Sequence, residues 1–279
     1  MIPFDFEYYR SDTIQEAVKI FHKVRNEGKI VIFYSGGTEF ITFSRLNTIT
    51  ADAVIDVKGI AECNVLEFQD EQLVVGAAVS LNKISESNFF PLLGQAVKKI
   101  ADHTSRNKIT IGGNMKSRLI YRESVLALLL VDAKVKIAGE KGERIVPLAD
   151  VYEEELKLTT GEFLVQILID KTYINLPFVS LKKTKMSKVG YPIVSVAAIV
   201  KDRNLRAAIS GVCEFPFRSA ELETALNDFT LKKAERVDKA VSLLPTAIIN
   251  DQLASAEYRK FVLKNTLSEA IDVLEVAQA

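Results

Sequence analysis

A chain of 279 residues holds two modest domains or one large one, and 48% hydrophobic with 26% charged side chains supplies a full core rather than a disordered chain. The charges cancel, 36 basic against 36 acidic, so no overall field draws the protein to nucleic acid or an anionic membrane. Two cysteines, Cys63 and Cys213, are too few for a zinc site or an iron–sulfur cluster and read as small buried apolar residues in a reducing compartment.

The start, "MIPFDFEYYR", lacks the basic and apolar regions of a signal peptide, and no run reaches the ~18 apolar residues of a membrane span. A cytoplasmic protein is expected. "SDTIQEAVKIFHKVRNEGK" predicts a helix capped by Asp12 with Gln15 as partner, burying Ile14, Ala17, Val18, Phe21 and Val24 and closed by Gly28. "KIVIFYSGG" predicts a strand buried on both faces, and "DAVIDVKGI" a second. From about residue 58 the texture changes. "NVLEFQDEQLVVGAAVSL" predicts a hairpin, "NFFPLLGQAVKKIADH" a helix, "RESVLALLLVDA" a buried helix, "KVKIAGEKGERIVPL" another hairpin and "EFLVQILID" a strand. After "LPF" at 176–178 come two antiparallel strands in "IVSVAAIVKDRNLRAAISGV", joined at Asp202 to Asn204, and then helices in "RSAELETAL", "KKAERVDKAVSLL" and "SAEYRKFVLKNTLSEAIDVLEVA". Boundaries fall near 57 and 175.

Two segments share a design. "YSGGTEF" ends a strand, and "TIGGNMKS" follows a short apolar stretch. Adjacent glycines permit positive φ and let bare backbone approach a ligand, and successive N–H groups can converge on an anion. Ser35, Thr38, Thr110 and Asn114 add side-chain donors. A single Gly-Gly after a strand is usually only a turn; two such loops suit a pyrophosphate gripped from both sides. Neither matches the common dinucleotide or nucleoside-triphosphate glycine motifs. His22 and His103 read as structural, so no serine–histidine–carboxylate set arises, and metal-ligand spacing is absent.

The order of "IFYSGGTEF", "IDVKGIAECNVLEF", "LVVGAAVSL", "RNKITIGGN" and "LALLLVDAKVKI", followed by "VSVAAIV", "ISGVCEFPFRSAELETAL" and "DQLASAEYRKFVL", resembles the FAD-binding subunit of the molybdenum hydroxylases, the xanthine dehydrogenase and carbon monoxide dehydrogenase type. The resemblance covers essentially the whole chain. It implies an α+β fold: a PCMH-type FAD-binding domain of two subdomains, residues 1–57 and 58–175, followed by a smaller α+β domain, residues 176–279, of antiparallel sheet and helices. It places Ser35, Gly36, Gly37 and Thr38 on one side of FAD, with Tyr34, Glu39 and Phe40 as neighbours, and Thr110, Gly112, Gly113 and Asn114 on the other. Arg106 resembles a family position, either countering phosphate charge or anchoring its loop. Where the family has Ser-Pro and then an Asp beside the flavin side of the cofactor, this chain has Leu119, Ile120 and Glu123, as in a divergent branch. In the basic stretch "LKKTKMSK", Lys182 or Lys183 is positioned to approach the cofactor, though a charge run of this kind reads first as a solvated face.

By resemblance the chain is an electron relay. A partner carrying molybdopterin oxidises substrate, a second partner carries 2Fe–2S clusters, and electrons pass through FAD here to NAD or another acceptor; no catalytic residue is assigned. Two alternatives stand: a free-standing flavoenzyme like the UDP-N-acetylenolpyruvoylglucosamine reductases, and a non-catalytic subunit that holds a complex together.

Overall fold

In the computed structural model, which describes residues 1–276, three sheets follow one another along the chain. The first is parallel and three-stranded: β1 (Glu7–Arg10), β2 (Val31–Tyr34) and β3 (Ala53–Asp56), in the order β1-β3-β2. β3 is buried throughout because Ala53 and Ile55 meet one apolar cluster while Val54 meets another. Helix α1 (Ile14–Asn26) packs Ile14, Ala17, Phe21 and Val24 into the first cluster, and α2 (Thr38–Arg45) packs Phe40 into the second. β1 was not foreseen, since "EYYR" is a half-exposed edge strand with no apolar run. The cap of α1 also falls one residue later than expected. Thr13, extended at φ −135°, accepts from the Glu16 N–H, while the Glu16 carboxylate accepts from the Asp12 N–H at 2.9 Å. Asp12 and Gln15 do not form the expected pair. Gly28 lies just past the helix end at φ +81°.

The second sheet is antiparallel: β4 (Leu66–Gln69), β5 (Gln72–Gly76), β6 (Lys134–Gly139), β7 (Gly142–Pro147) and β8 (Phe163–Asp170), ordered β4-β5-β8-β6-β7. Between β5 and β6 run α3 (Leu81–Ser87), α4 (Pro91–Lys98), α5 (His103–Arg106), α6 (Ile111–Met115) and α7 (Ser124–Leu130); α8 (Leu148–Val151) follows β7. Helix α7, "SVLALLL", is buried along nearly its whole length, between this sheet and the next. Part of the sheet, with Ala78 just after β5, also completes the first core: Ala78, Ala138, Phe163 and Val165 cluster with Ile55 and Phe21.

The third sheet is antiparallel: β9 (Phe178–Thr184), β10 (Pro192–Lys201), β11 (Asn204–Ser210) and β12 (Phe217–Arg218), ordered β12-β11-β10-β9. Helices α9 (Ala220–Leu226), α10 (Lys233–Ser242) and α11 (Ala256–Val276) cover one face. The expected final helix is present; Ala277, at the end of the segment read as helical, lies outside the described residues. The sheet is buried on both sides, which explains the continuous apolar runs. Val194, Val196 and Ala198 face α11, whereas Ala197, Ile199 and Ala208 join the core around α7. β9 obeys the same alternation inside the lysine-rich stretch. Val179, Leu181 and Lys183 face the α11 side, and Phe178, Ser180 and Lys182 face α4 and α7. The stretch read as a solvated charge run therefore begins as a strand.

Charged groups rim the joint between the second and third sheets. Asp132, in the left-handed region at φ +49°, receives Arg206 at 2.8 Å, Arg218 at 2.9 Å and the Tyr173 hydroxyl at 2.6 Å. Both arginines also donate to carbonyls at the C-terminus of α7, Leu130 and Leu129, where positive charge suits the helix dipole. Burial pushes the Asp132 carboxyl up, but the Tyr173 hydroxyl and Arg206 outweigh it and hold the group below the usual carboxylate range. A depressed value stabilises the fold above the unfolded-state pKa, and that contribution is lost as pH falls through the folded-state value. Asp132 is half exposed, so Asp132→Asn should cost only about 1 kcal/mol and should flatten the acid limb of stability. Urea unfolding of both proteins across acid pH measures this.

Candidate functional site

The two glycine loops meet. β2 delivers Tyr34 to the edge of the first sheet, and Ser35, Gly36 and Gly37 turn the chain into α2. Gly37 sits at φ +71° as the N-cap of α2, and any side chain there would overlap the Tyr34 hydroxyl. A Cβ on Gly36 would overlap the Lys108 carbonyl oxygen and approach the Thr110 nitrogen to 3.3 Å. Gly36 is thus a glycine because the second loop passes directly against it. Gly112 has a similar reason: its Cβ would stand 2.8 Å from that of Ala77.

The loops are unequal as donors. α2 has no side-chain cap, since its N-cap is glycine, so its first N–H groups receive no side-chain acceptor from that residue. Ser35 Oγ beside them is buried and has no hydrogen-bond partner among the described residues. In the second loop the N–H groups are engaged. Ile111 donates to the Val79 carbonyl and Gly112 to that of Ala77, while Thr110 caps α6 by accepting from Gly113 at 3.3 Å. Asn114 accepts from the Ser124 hydroxyl at 2.5 Å, tying the loop to α7. The uncapped helix start and the orphaned hydroxyl lie on the first loop, and the second packs behind it.

Several expected site residues serve to brace this pair. Glu39, on α2, accepts from the Ser117 hydroxyl and from the Arg118 N–H at 2.7 Å, stitching the first loop to the segment after the second. Phe40 is core, edge-on to Phe6 and Tyr34 at 5.5 and 6.0 Å. Arg106 is buried and spends its donors on Asn82 and the carbonyls of Ile100 and Ala101, so within the protein it anchors the approach to the second loop.

Glu123 and Lys182 form a buried ion pair of 2.8 Å, each side chain less than one-tenth exposed. Burial raises the Glu123 pKa although Lys182 opposes it. Lys182 also donates to the Lys99 carbonyl, and burial followed by the nearness of Lys182 lowers the Lys99 pKa. Ser195, whose buried hydroxyl has no partner among the described residues, lines the same small cleft with Lys99, Glu123 and Lys182. Lys183 is placed elsewhere: it turns to the other face of β9 and pairs with Glu269 of α11 at 2.6 Å. The lysine that meets Glu123 is its neighbour. Tyr121, stacked on Tyr191 at 4.8 Å, closes the segment that carries Glu123.

Lys58 was not foreseen. Just past β3 its ammonium donates to the Ser35 carbonyl at 2.9 Å and to Asp56 at 2.7 Å, and it lies 4.7 Å from the centre of the Tyr34 ring. The signal was in "IDVKGI", an acid ending a strand with a base two residues on, where the Asp56 carboxylate caps the turn by accepting from the Lys58 N–H and so brings the base back to it.

Residues 4–171 match the family of the FAD binding domain in molybdopterin dehydrogenase, and the chain belongs to that family. It is 26% identical to the glyceraldehyde dehydrogenase medium chain of Sulfolobus acidocaldarius over 95% of this chain and 96% of that protein. It is 25% identical to the carbon monoxide dehydrogenase medium chain of Afipia carboxidovorans over 98% and 97% of the two. Its fold superposes on the carbon monoxide dehydrogenase of Hydrogenophaga pseudoflava with a TM-score of 0.88 at 21% identity, covering 99% of both chains. The protein is an FAD-binding subunit of the molybdenum hydroxylase family, an oxidoreductase component of mixed α and β fold. Among its described residues no helix is long and apolar enough to cross a membrane.

Proposed function

We propose that the chain holds FAD as the electron relay of a molybdenum hydroxylase, between a partner bearing 2Fe–2S clusters and an acceptor such as NAD, with substrate oxidised on a molybdopterin-binding subunit. The observation that carries the site is the uncapped N-terminus of α2 beside the orphaned Ser35 hydroxyl. Free N–H groups and the positive end of a helix fit a pyrophosphate. In this reading Ser35, Gly36, Gly37 and Thr38 contact the phosphates, Thr110, Gly112, Gly113 and Asn114 form the facing wall, and Tyr34, Glu39, Phe40 and Arg106 hold the two loops in register. Glu123 stands toward the flavin end with Lys182, of the two lysines Lys182 and Lys183, as its counter-charge. Bound FAD supplies one- and two-electron chemistry, and the protein supplies position and electrostatics. The full-length match to medium chains favours a subunit of a complex over a free-standing flavoenzyme.

The purified chain should carry FAD at about one per chain, identified after heat release. A colourless protein that also fails to take up added FAD removes this reading for the isolated chain and leaves a subunit whose site closes only in the complex.

A further inference from the structure

The first loop rests on a chain of side chains that starts outside it. The Tyr8 hydroxyl on β1 donates to Asp56 at the end of β3, at 2.5 Å. That bond pushes the Tyr8 phenol up to about 12. The other oxygen of Asp56 accepts from the Lys58 N–H at 2.9 Å, which folds the backbone back so that the Lys58 ammonium reaches the same carboxylate. The ammonium then donates to the carbonyl of Ser35. Each bond fixes the next, and the last fixes a peptide plane.

A trans peptide carries its carbonyl and its N–H on opposite sides. Pinning the Ser35 carbonyl toward Lys58 therefore turns the Gly36 N–H the other way. Gly36 cannot settle this orientation itself, since glycine tolerates many φ and ψ values. From the other side the second loop limits it, since a Cβ there would meet the Lys108 carbonyl and approach the Thr110 nitrogen. Tyr34, whose ring lies beside the Lys58 ammonium and whose hydroxyl lies under Gly37, fills the space beneath the turn.

We propose that Lys58, held by Asp56 and Tyr8, is the positioning residue that aims the Gly36 N–H of the first glycine loop at the cofactor's pyrophosphate. This rests on the reading of that loop as the pyrophosphate site. Lys58 acts through the Ser35 peptide, and Asp56 already balances its charge, so orientation rather than net charge is what it contributes. Fixing the peptide plane from within the protein spares FAD the cost of ordering a glycine-rich turn.

The test compares wild type, Lys58→Gln, Lys58→Arg and Tyr8→Phe by flavin-fluorescence titration with FAD, by phosphorus NMR of the bound diphosphate and by thermal melting. Lys58→Gln should weaken FAD binding about tenfold and move the diphosphate resonances toward those of free FAD, with melting little changed. Lys58→Arg, which can still reach both acceptors, should restore affinity and resonances. Tyr8→Phe should shift both in the Lys58→Gln direction by a smaller amount. FAD affinity and diphosphate resonances in Lys58→Gln equal to wild type would overturn the role of Lys58 and leave the pyrophosphate site standing. The same holds if weakened binding tracks a lowered melting temperature and Lys58→Arg gives no rescue. A wild-type protein that takes no FAD removes the site itself, and this inference with it.

Discussion

Gly36→Ala should push the two glycine loops apart. The added methyl would land on the Lys108 carbonyl oxygen, a backbone atom with no rotamer to escape into. Such overpacking costs about 1–3 kcal/mol of stability, and the site should lose more than the fold does. The displaced loop carries the free N–H groups of α2 and the Ser35 hydroxyl, so FAD affinity is expected to fall at least tenfold, roughly the loss of one charge-assisted hydrogen bond. Gly113→Ala is the milder comparison. Its methyl meets only Thr110 Oγ1, at 3.0 Å, and disturbs one cap. Flavin titration and thermal melting of both variants separate the effects. Equal losses at the two positions, or an unchanged Gly36→Ala protein, would show that the loops are not in contact as described.

Lys182→Met is expected to be costlier for the fold. It keeps a straight side chain in β9 but leaves Glu123 buried with no counter-charge, a loss of about 3–5 kcal/mol. The pH dependence identifies the cause. Burial already raises the Glu123 pKa, and without Lys182 it should rise further. A carboxyl with a raised folded-state pKa stabilises the fold below its unfolded-state pKa, and that contribution is lost as pH rises through the folded value. The variant should therefore recover stability in mild acid, the reverse of the Asp132 case. Adding Glu123→Gln should restore most of the loss at neutral pH, because a neutral amide needs no counter-ion. Urea unfolding at neutral and mildly acid pH measures all three proteins; a double variant no better than Lys182→Met would place the cost in packing instead of charge.

These two positions mark what the sequence could and could not convey. The glycine pairs and their flanking hydroxyls were visible, because they are local and unusual. The reason for Gly36 was not, because it lies in the carbonyl of Lys108, reached only when the second loop folds against the first. The long apolar strand β10 was legible as one of two antiparallel strands, whereas β2, read as buried on both faces, is an edge strand whose Ile32, Phe33 and Tyr34 stay partly exposed. β9 was not legible, because Lys182 and Lys183 alternate between two interfaces and each finds a partner, so two buried or half-buried charges read as a solvated pair. The same masking left open which of Lys182 and Lys183 turns toward Glu123. The hairpins at Asp70 and Gly142 were legible because their turn residues sit at positive φ, whereas β1 carries neither apolar run nor turn signal and is set in place by long-range contacts, chiefly its pairing with β3.

The shared core of the first sheet has a consequence for synthesis on the ribosome. Ile55, Phe21 and Val24 are only partly covered by residues of their own segment; Ala78, Ala138, Phe163 and Val165 complete the cluster. Emerging first, residues 1–57 can pair their strands but cannot bury that face until β8 has left the exit tunnel. The glycine loop they carry also lacks its backing until the second loop emerges. The first glycine loop is thus translated early and completed late, and the nascent N-terminal sheet presents an apolar face for the interval, a stage at which chaperone contact and misassembly are concentrated.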